Sequence, residues 1–211
     1  MTRKEKAEIL IRRLEQRYED ALCALEYGGD PWRLLVMGRL SAQCTDARVN
    51  EVCKTLFAVL PDVASFAEAE IGRLEELIRP CGLFHTKAQN LKDAAVMLIE
   101  DFDGRVPDNM DDLLKIPGVG RKIANLLLGD LYGQPAIVAD THCIRLSGRF
   151  GLVKQGEKDP HKVELALKKI IPPEKSNDFC HRLVLFGREV CTARAPKCDS
   201  CPMRDLCVYE A

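Results

Sequence analysis

Apolar residues recur along this chain at helical spacing far more often than in strand-like alternation. Leu10, Leu14, Leu22 and Leu25 set a first helix that Gly28-Gly29 closes, and Asp30-Pro31 opens a second. Residues 32–40 and 49–60 read as two buried helices joined by the polar run Ser41-Ala42-Gln43-Cys44-Thr45-Asp46, and 71–78 as a third that stops at Pro80. Phe84, Ala88, Leu91, Ala95 and Leu98 stand at i, i+4, i+7, i+11 and i+14, which predicts an amphipathic helix over 84–100. Pro107-Asp108 starts the next helix, which ends before Pro117. Asp140 is placed to cap a helix running through Phe150, and helical patterns cover 161–170 and 174–190. About ten short helices with tight connections make an all-α protein of two lobes.

Composition narrows the class. With 211 residues, 46% hydrophobic and 30% charged, the chain buries enough surface to fold without disulfides, and disorder is excluded for its bulk. Aromatics are only 6%, which speaks against an all-β protein. The longest apolar run, 94–99, is about a third of what a bilayer-spanning helix needs. The N-terminus has no apolar leader core, so a mature, cytoplasmic protein is expected. Net charge is −1, so any attraction to nucleic acid must be local. Residues 113–150 hold five basic side chains (Lys115, Arg121, Lys122, Arg145, Arg149) against two acidic ones, a local balance of +3. A solvated helix face explains such a run equally well.

The ten cysteines are unevenly spread. Cys191, Cys198, Cys201 and Cys207 form C-x6-C-x2-C-x5-C, whereas Cys23, Cys44, Cys53, Cys81, Cys143 and Cys180 lie scattered in mostly apolar surroundings, as small hydrophobes do. Four clustered thiolates suit an iron-sulfur cluster or tetrahedral zinc, and spacing does not choose between them.

The most informative segment is Leu113-Leu114-Lys115-Ile116-Pro117-Gly118-Val119-Gly120-Arg121-Lys122. Pro117 ends one helix, and Gly118 and Gly120 offer two positions for positive φ, so the chain reverses into a helix with Lys122 in its first turn. Free N–H groups there can take a phosphate, although G-x-G alone more often marks a turn without a ligand. Arg121 and Lys122 sit at the positive end of the helix dipole, a field that favours the neutral, nucleophilic form of the lysine. A helix to residue 131 climbs about 15 Å. Residues 135–139, extended at about 3.3 Å each, recover that height, so Asp140 returns to the level of Lys122 and can face the same pocket. From local sequence alone, N-capping is the stronger role for Asp140.

These residues resemble the endonuclease III family of helix-hairpin-helix DNA glycosylases, over nearly the whole chain. Residues 114–122 resemble the family hairpin with its nucleophilic lysine, Val138-Ala139-Asp140-Thr141-His142 its aspartate motif, and the four-cysteine tail its cluster loop. The resemblance implies a six-helix lobe over 24–134 and a cluster lobe from 1–23 and 135–211, with DNA in the cleft between. It implies Lys122 as nucleophile on C1′ of an extruded nucleotide, Asp140 as its catalytic partner, and a [4Fe-4S] cluster on Cys191, Cys198, Cys201 and Cys207. Gln43 would fill the gap left by the base, Leu83 would wedge the stack, and Gly118, Val119, Gly120 and Arg121 would meet the backbone. Arg194 and Lys197, between the first two cysteines, would aim at phosphates. The implied protein is a monomer that removes oxidised pyrimidines from duplex DNA and cleaves 3′ to the abasic site. Alternatives are a mismatch thymine or uracil glycosylase, an adenine glycosylase (a group that typically lacks the lysine), and a non-catalytic DNA-binding module. Cys44 after Gln43 and Ile123 after the lysine depart from the family pattern.

Overall fold

A computed structural model of the protein describes residues 1–209 and is helical throughout, with no strand among the described residues. The helices are α1 (Arg3–Arg17), α2 (Pro31–Leu40), α3 (Asp46–Val59), α4 (Val63–Glu68), α5 (Ile71–Ile78), α6 (Phe84–Phe102), α7 (Met110–Leu113), α8 (Arg121–Asp130), α9 (Thr141–Arg149), α10 (Pro160–Lys168) and α11 (Ser176–Glu189). None of them is long and apolar enough to cross a membrane. The chain divides into two compact units, Cys23–Gly133 and Met1–Leu22 with Gln134–Ala211.

The unit Cys23–Gly133 carries α2 to α8. Asp30 accepts the Arg33 N–H at 3.1 Å and Pro31 occupies the first turn, which starts α2. Seven of its ten residues are buried. Helix α8 is likewise apolar on nearly all sides, from Ile123 to Gly129, so these two form the centre and pack on one another. They approach at Gly38, where an added Cβ would stand 3.4 Å from the Ile123 side chain. Helix α6 lays Ala88, Leu91, Ala95 and Leu98 of the predicted stripe inward, with Ala94 beside them and Phe84 half-buried, and α4 and α5 pack across it. Trp32 meets Phe66 of α4 edge-on at 5.1 Å.

The other unit packs α11 against α1 and α9, with Phe150, Phe179 and Phe186 buried. Thr2 and Glu5 form a reciprocal capping box that starts α1. Sequence periodicity extends this first helix to Leu25, but it ends at Arg17 and Leu22 is 80% exposed. The reason is tertiary: Arg182 of α11 donates to the carbonyls of Tyr18 and Glu19 at 2.9 and 3.3 Å, turning the chain away. Two other expectations also change. The helix expected from Pro107-Asp108 is a single turn capped by Asn109, and α4, capped by Asp62 and Ser65, lies where no helix is expected. Residues 133–140 form neither helix nor strand: Gly133 has φ of +60°, the Asp140 N–H donates back to Val138 O at 2.8 Å, and Ala136, Ile137, Val138 and Ala139 are buried.

Candidate active site

The hairpin between α7 and α8 is a tight turn with an unsatisfied helix start. The Val119 N–H donates to Ile116 O at 3.0 Å, and Val119 is only 6% exposed, so its side chain anchors the turn. Gly118 has φ of +80° and lies so close to α2 and α6 that an added Cβ would be 2.9 Å from both Arg39 Nε and Asn90 Cβ. Arg39 and Asn90 are joined by hydrogen bonds of 3.1 and 2.7 Å, forming the floor beneath the turn. The sequence offers positive φ at both glycines, but Gly120 is extended, with φ of −100° and nothing within 4 Å of an added Cβ. It is the N-cap of α8 and has no side chain to satisfy the first N–H groups. Lys122 is exposed in this first turn, and Arg121 beside it is half-buried.

Two further loops belong to the same unit. Gln43, exposed, has φ of +56°, and Leu83, 56% exposed, has φ of +50°. Only one other non-glycine among the described residues, Asp103, has positive φ. For residues with a Cβ such backbone costs about 1–2 kcal/mol, and it persists only where surroundings enforce it. Lys87 does the enforcing. Fully buried, its ammonium donates to Leu40 O and Ala42 O at 2.8 Å and to Cys81 O at 2.9 Å, fastening the Gln43 loop to the Leu83 loop. Burial pushes the Lys87 amine below its usual range. Sequence reasoning passed over this residue; the signal was a lone lysine at i+3 from Phe84, on the apolar face of α6.

Asp140 lies in the other unit, as the N-cap of α9. Its Oδ1 accepts the Cys143 N–H at 2.7 Å, so the capping role is real, and the side chain is half-buried. The same helix builds the cysteine site. Arg149, 8% exposed, donates from Nη1 to Cys191 Sγ at 3.1 Å and to Thr192 O at 2.8 Å, and from Nη2 to Ala193 O at 3.1 Å. Arg145 donates to Cys191 O at 3.0 Å and Gly187 O at 3.2 Å. Neither arginine is marked out by the sequence except as local positive charge.

Cys191, Cys198, Cys201 and Cys207 line one pocket together with Phe150, Val190 and Pro196. Among the described residues no three metal-ligating side chains are already drawn together as an ion site. Burial, with the other three thiols close by, raises the Cys201 thiol above its usual range, as for a site that stays protonated until a metal group displaces the protons. Four facing thiols, one already receiving an N–H donor, fit an iron-sulfur cluster. Arg194 and Lys197 are exposed on the loop that Arg149 pins.

Comparison with known proteins agrees with this geometry. Residues 36–173 match the HhH-GPD superfamily base excision DNA repair protein model, and 191–207 match the iron-sulfur binding domain of endonuclease III. Endonuclease III of Synechocystis sp. is 42% identical over 98% of this chain and 93% of its own length. That of Escherichia coli K12 is 36% identical over 100% and 98%. A solved trapped endonuclease III–DNA covalent intermediate superposes with a TM-score of 0.94 at 39% identity, covering 99% of this chain and 97% of its own. With both the hairpin and the cysteine loop accounted for, the chain belongs to the endonuclease III family of the HhH-GPD superfamily.

Proposed function

We propose that this protein is a base-excision DNA glycosylase with AP lyase activity that removes oxidised pyrimidines from duplex DNA. The observation that carries the reading is Lys122: an exposed amine in the uncapped first turn of α8, directly behind a glycine hairpin. The N-terminal N–H groups of α8 and the open approach at Gly120 take a phosphate, while Gly118 and Val119 hold the turn in shape. Arg121 adds charge beside them.

Because C1′ is out of reach in stacked duplex, the damaged nucleotide is extruded. Gln43 occupies the space it leaves, and Leu83 enters the stack; both stand exposed on strained backbone that Lys87 holds ready. The amine of Lys122 attacks C1′, the base departs, and the resulting Schiff base permits β-elimination that cuts the strand on the 3′ side. Asp140 supports deprotonation of the lysine and stabilises positive charge on the sugar, through the carboxylate oxygen that does not cap α9. When bound, the [4Fe-4S] cluster ties Cys191, Cys198, Cys201 and Cys207 into one loop; Arg194 and Lys197 on that loop meet phosphates. The unit Cys23–Gly133 serves as the helix-hairpin-helix lobe and the discontinuous unit as the cluster lobe. We place the enzyme in the cytoplasm, at the nucleoid in a prokaryote.

Borohydride trapping on duplex carrying an oxidised pyrimidine tests the reading. A covalent protein–DNA band is expected with the native protein and none with Lys122→Ala. A native protein that gives no band on that duplex or on an abasic duplex overturns the lyase assignment.

A further inference from the structure

The two loops that the proposed function sends into DNA each carry a cysteine at their base, and Lys87 holds those two bases together. Cys44 follows Gln43, and Cys81 precedes Gly82-Leu83. The Lys87 ammonium holds the carbonyls of Ala42 and Cys81 at 2.8 and 2.9 Å from one nitrogen, so the two backbones run side by side. The Cys44 and Cys81 side chains are near enough for the Cys44 thiol to raise the Cys81 thiol above its usual range. Cys44 is half-exposed and open to a small oxidant, while Cys81 is 2% exposed behind it. Cys143 and Cys180 also influence one another, but both are buried in the other unit, at 0% and 2% exposure.

We infer that Cys44 and Cys81 are a reversible oxidation site, closing to a disulfide under peroxide and thereby misplacing Gln43. The Cys44 thiolate attacks the peroxide; an S–O bond forms, the O–O bond breaks, and water leaves with the thiol proton. Cys81 then attacks the sulfenic sulfur, forming the S–S bond and releasing the second oxygen as water with its own proton. Two thiols thus give two electrons and two protons to one peroxide. Burial and the Cys44 thiol push the Cys81 thiol up to about 12, so it rests protonated; the neighbouring Lys87 and Arg48 charges favour its thiolate when it attacks.

Closure brings the two sulfurs to about 2.05 Å. The backbone next to Cys44 gives way most readily at Gln43, whose left-handed conformation is strained already. Displacing a positioned group by about 1 Å costs up to about a hundredfold in rate.

The consequence for activity rests on the proposed function; formation of the disulfide does not. Trypsin separates the three neighbouring thiols, with Cys44, Cys53 and Cys81 on different peptides. The cluster-loaded full-length protein is exposed to near-stoichiometric hydrogen peroxide and digested without reduction. The cluster's visible absorption is followed throughout. A linked Cys44–Cys81 peptide pair is expected, together with a fall in turnover of about tenfold to a hundredfold that dithiothreitol reverses. Cys81→Ser keeps its turnover under the same peroxide. No linked pair, linkage of Cys81 to Cys53 instead, or unchanged turnover in fully linked protein overturns the inference. If the reduced native protein shows no turnover at all, the enzyme reading fails, and the peptide map alone judges the thiol pair.

Discussion

Gly118 and Gly120 stand two positions apart in one hairpin and are glycine for different reasons. At Gly118 a side chain meets both positive φ and the Arg39–Asn90 floor, so Gly118→Ala is expected to cost about 3 kcal/mol of stability, read by denaturant unfolding. At Gly120 nothing stands in the way. Gly120→Ala should therefore lose no more than about 1 kcal/mol, from poorer capping, yet weaken duplex binding, because the methyl group keeps a phosphate from the backbone. Normal affinity in a folded Gly120→Ala protein would remove the phosphate contact from the proposed function. Asp140 separates two roles in the same way. Asp140→Asn keeps an oxygen for the Cys143 N–H, so it should fold normally while losing about a hundredfold or more in turnover; Asp140→Ala should lose stability as well, by about 1 kcal/mol.

At the scale of elements, α9 works at both ends. Its N-cap supplies Asp140, and its last turns supply Arg145 and Arg149 to the segment that begins at Cys191. Removing the Arg149 donors while keeping volume, as in Arg149→Met, strands the Thr192 and Ala193 carbonyls and exposes the Cys191 sulfur to competing protons. Such a variant should release iron faster to a chelator than native protein, with its helix content by circular dichroism unchanged. How legible these elements are in sequence follows from where their determinants lie. Helix α6 is predicted over 84–100 and found as Phe84–Phe102, because five stripe residues and its length carry the signal locally. The overlong first helix fails because its stop is set by Arg182, more than 160 residues away. The short α4 is missed because a six-residue helix offers too few turns for a periodicity. The hairpin, the lysine, the aspartate and the four cysteines show in sequence through compact motifs. Lys87, Arg145 and Arg149 do not, since each declares itself only through carbonyls supplied by distant segments.

For the whole molecule, a net charge of −1 means that attraction to DNA comes from where the cations are grouped. Arg194→Ala and Lys197→Ala should each weaken binding equally for damaged and undamaged duplex. Each should also lower the slope of log affinity against log salt by about 1, measured by titration at several salt concentrations. The segment from 191 onward buries few large apolar groups besides Met203 and Leu206 among the described residues, so the cluster is expected to hold it folded. Cys198→Ser protein is expected to be cut by protease beyond residue 188 under conditions where native protein resists. Equal resistance would mean that the packing suffices without the cluster.

The discontinuous unit also sets an order of events during synthesis. Helix α1 is made first, and its inward residues Ala7, Leu10, Ile11 and Leu14 need α11, which is encoded more than 150 residues later. Of its outer arginines, Arg17 pairs with Glu189 at the end of α11 at 2.6 Å, and Arg13 waits longer still, for Asp205 at 2.6 Å. On the ribosome the contiguous unit Cys23–Gly133 can complete its core while α1 remains an unpartnered amphipathic helix. The emergence of α11 is then the step that gives α1 a place to fold.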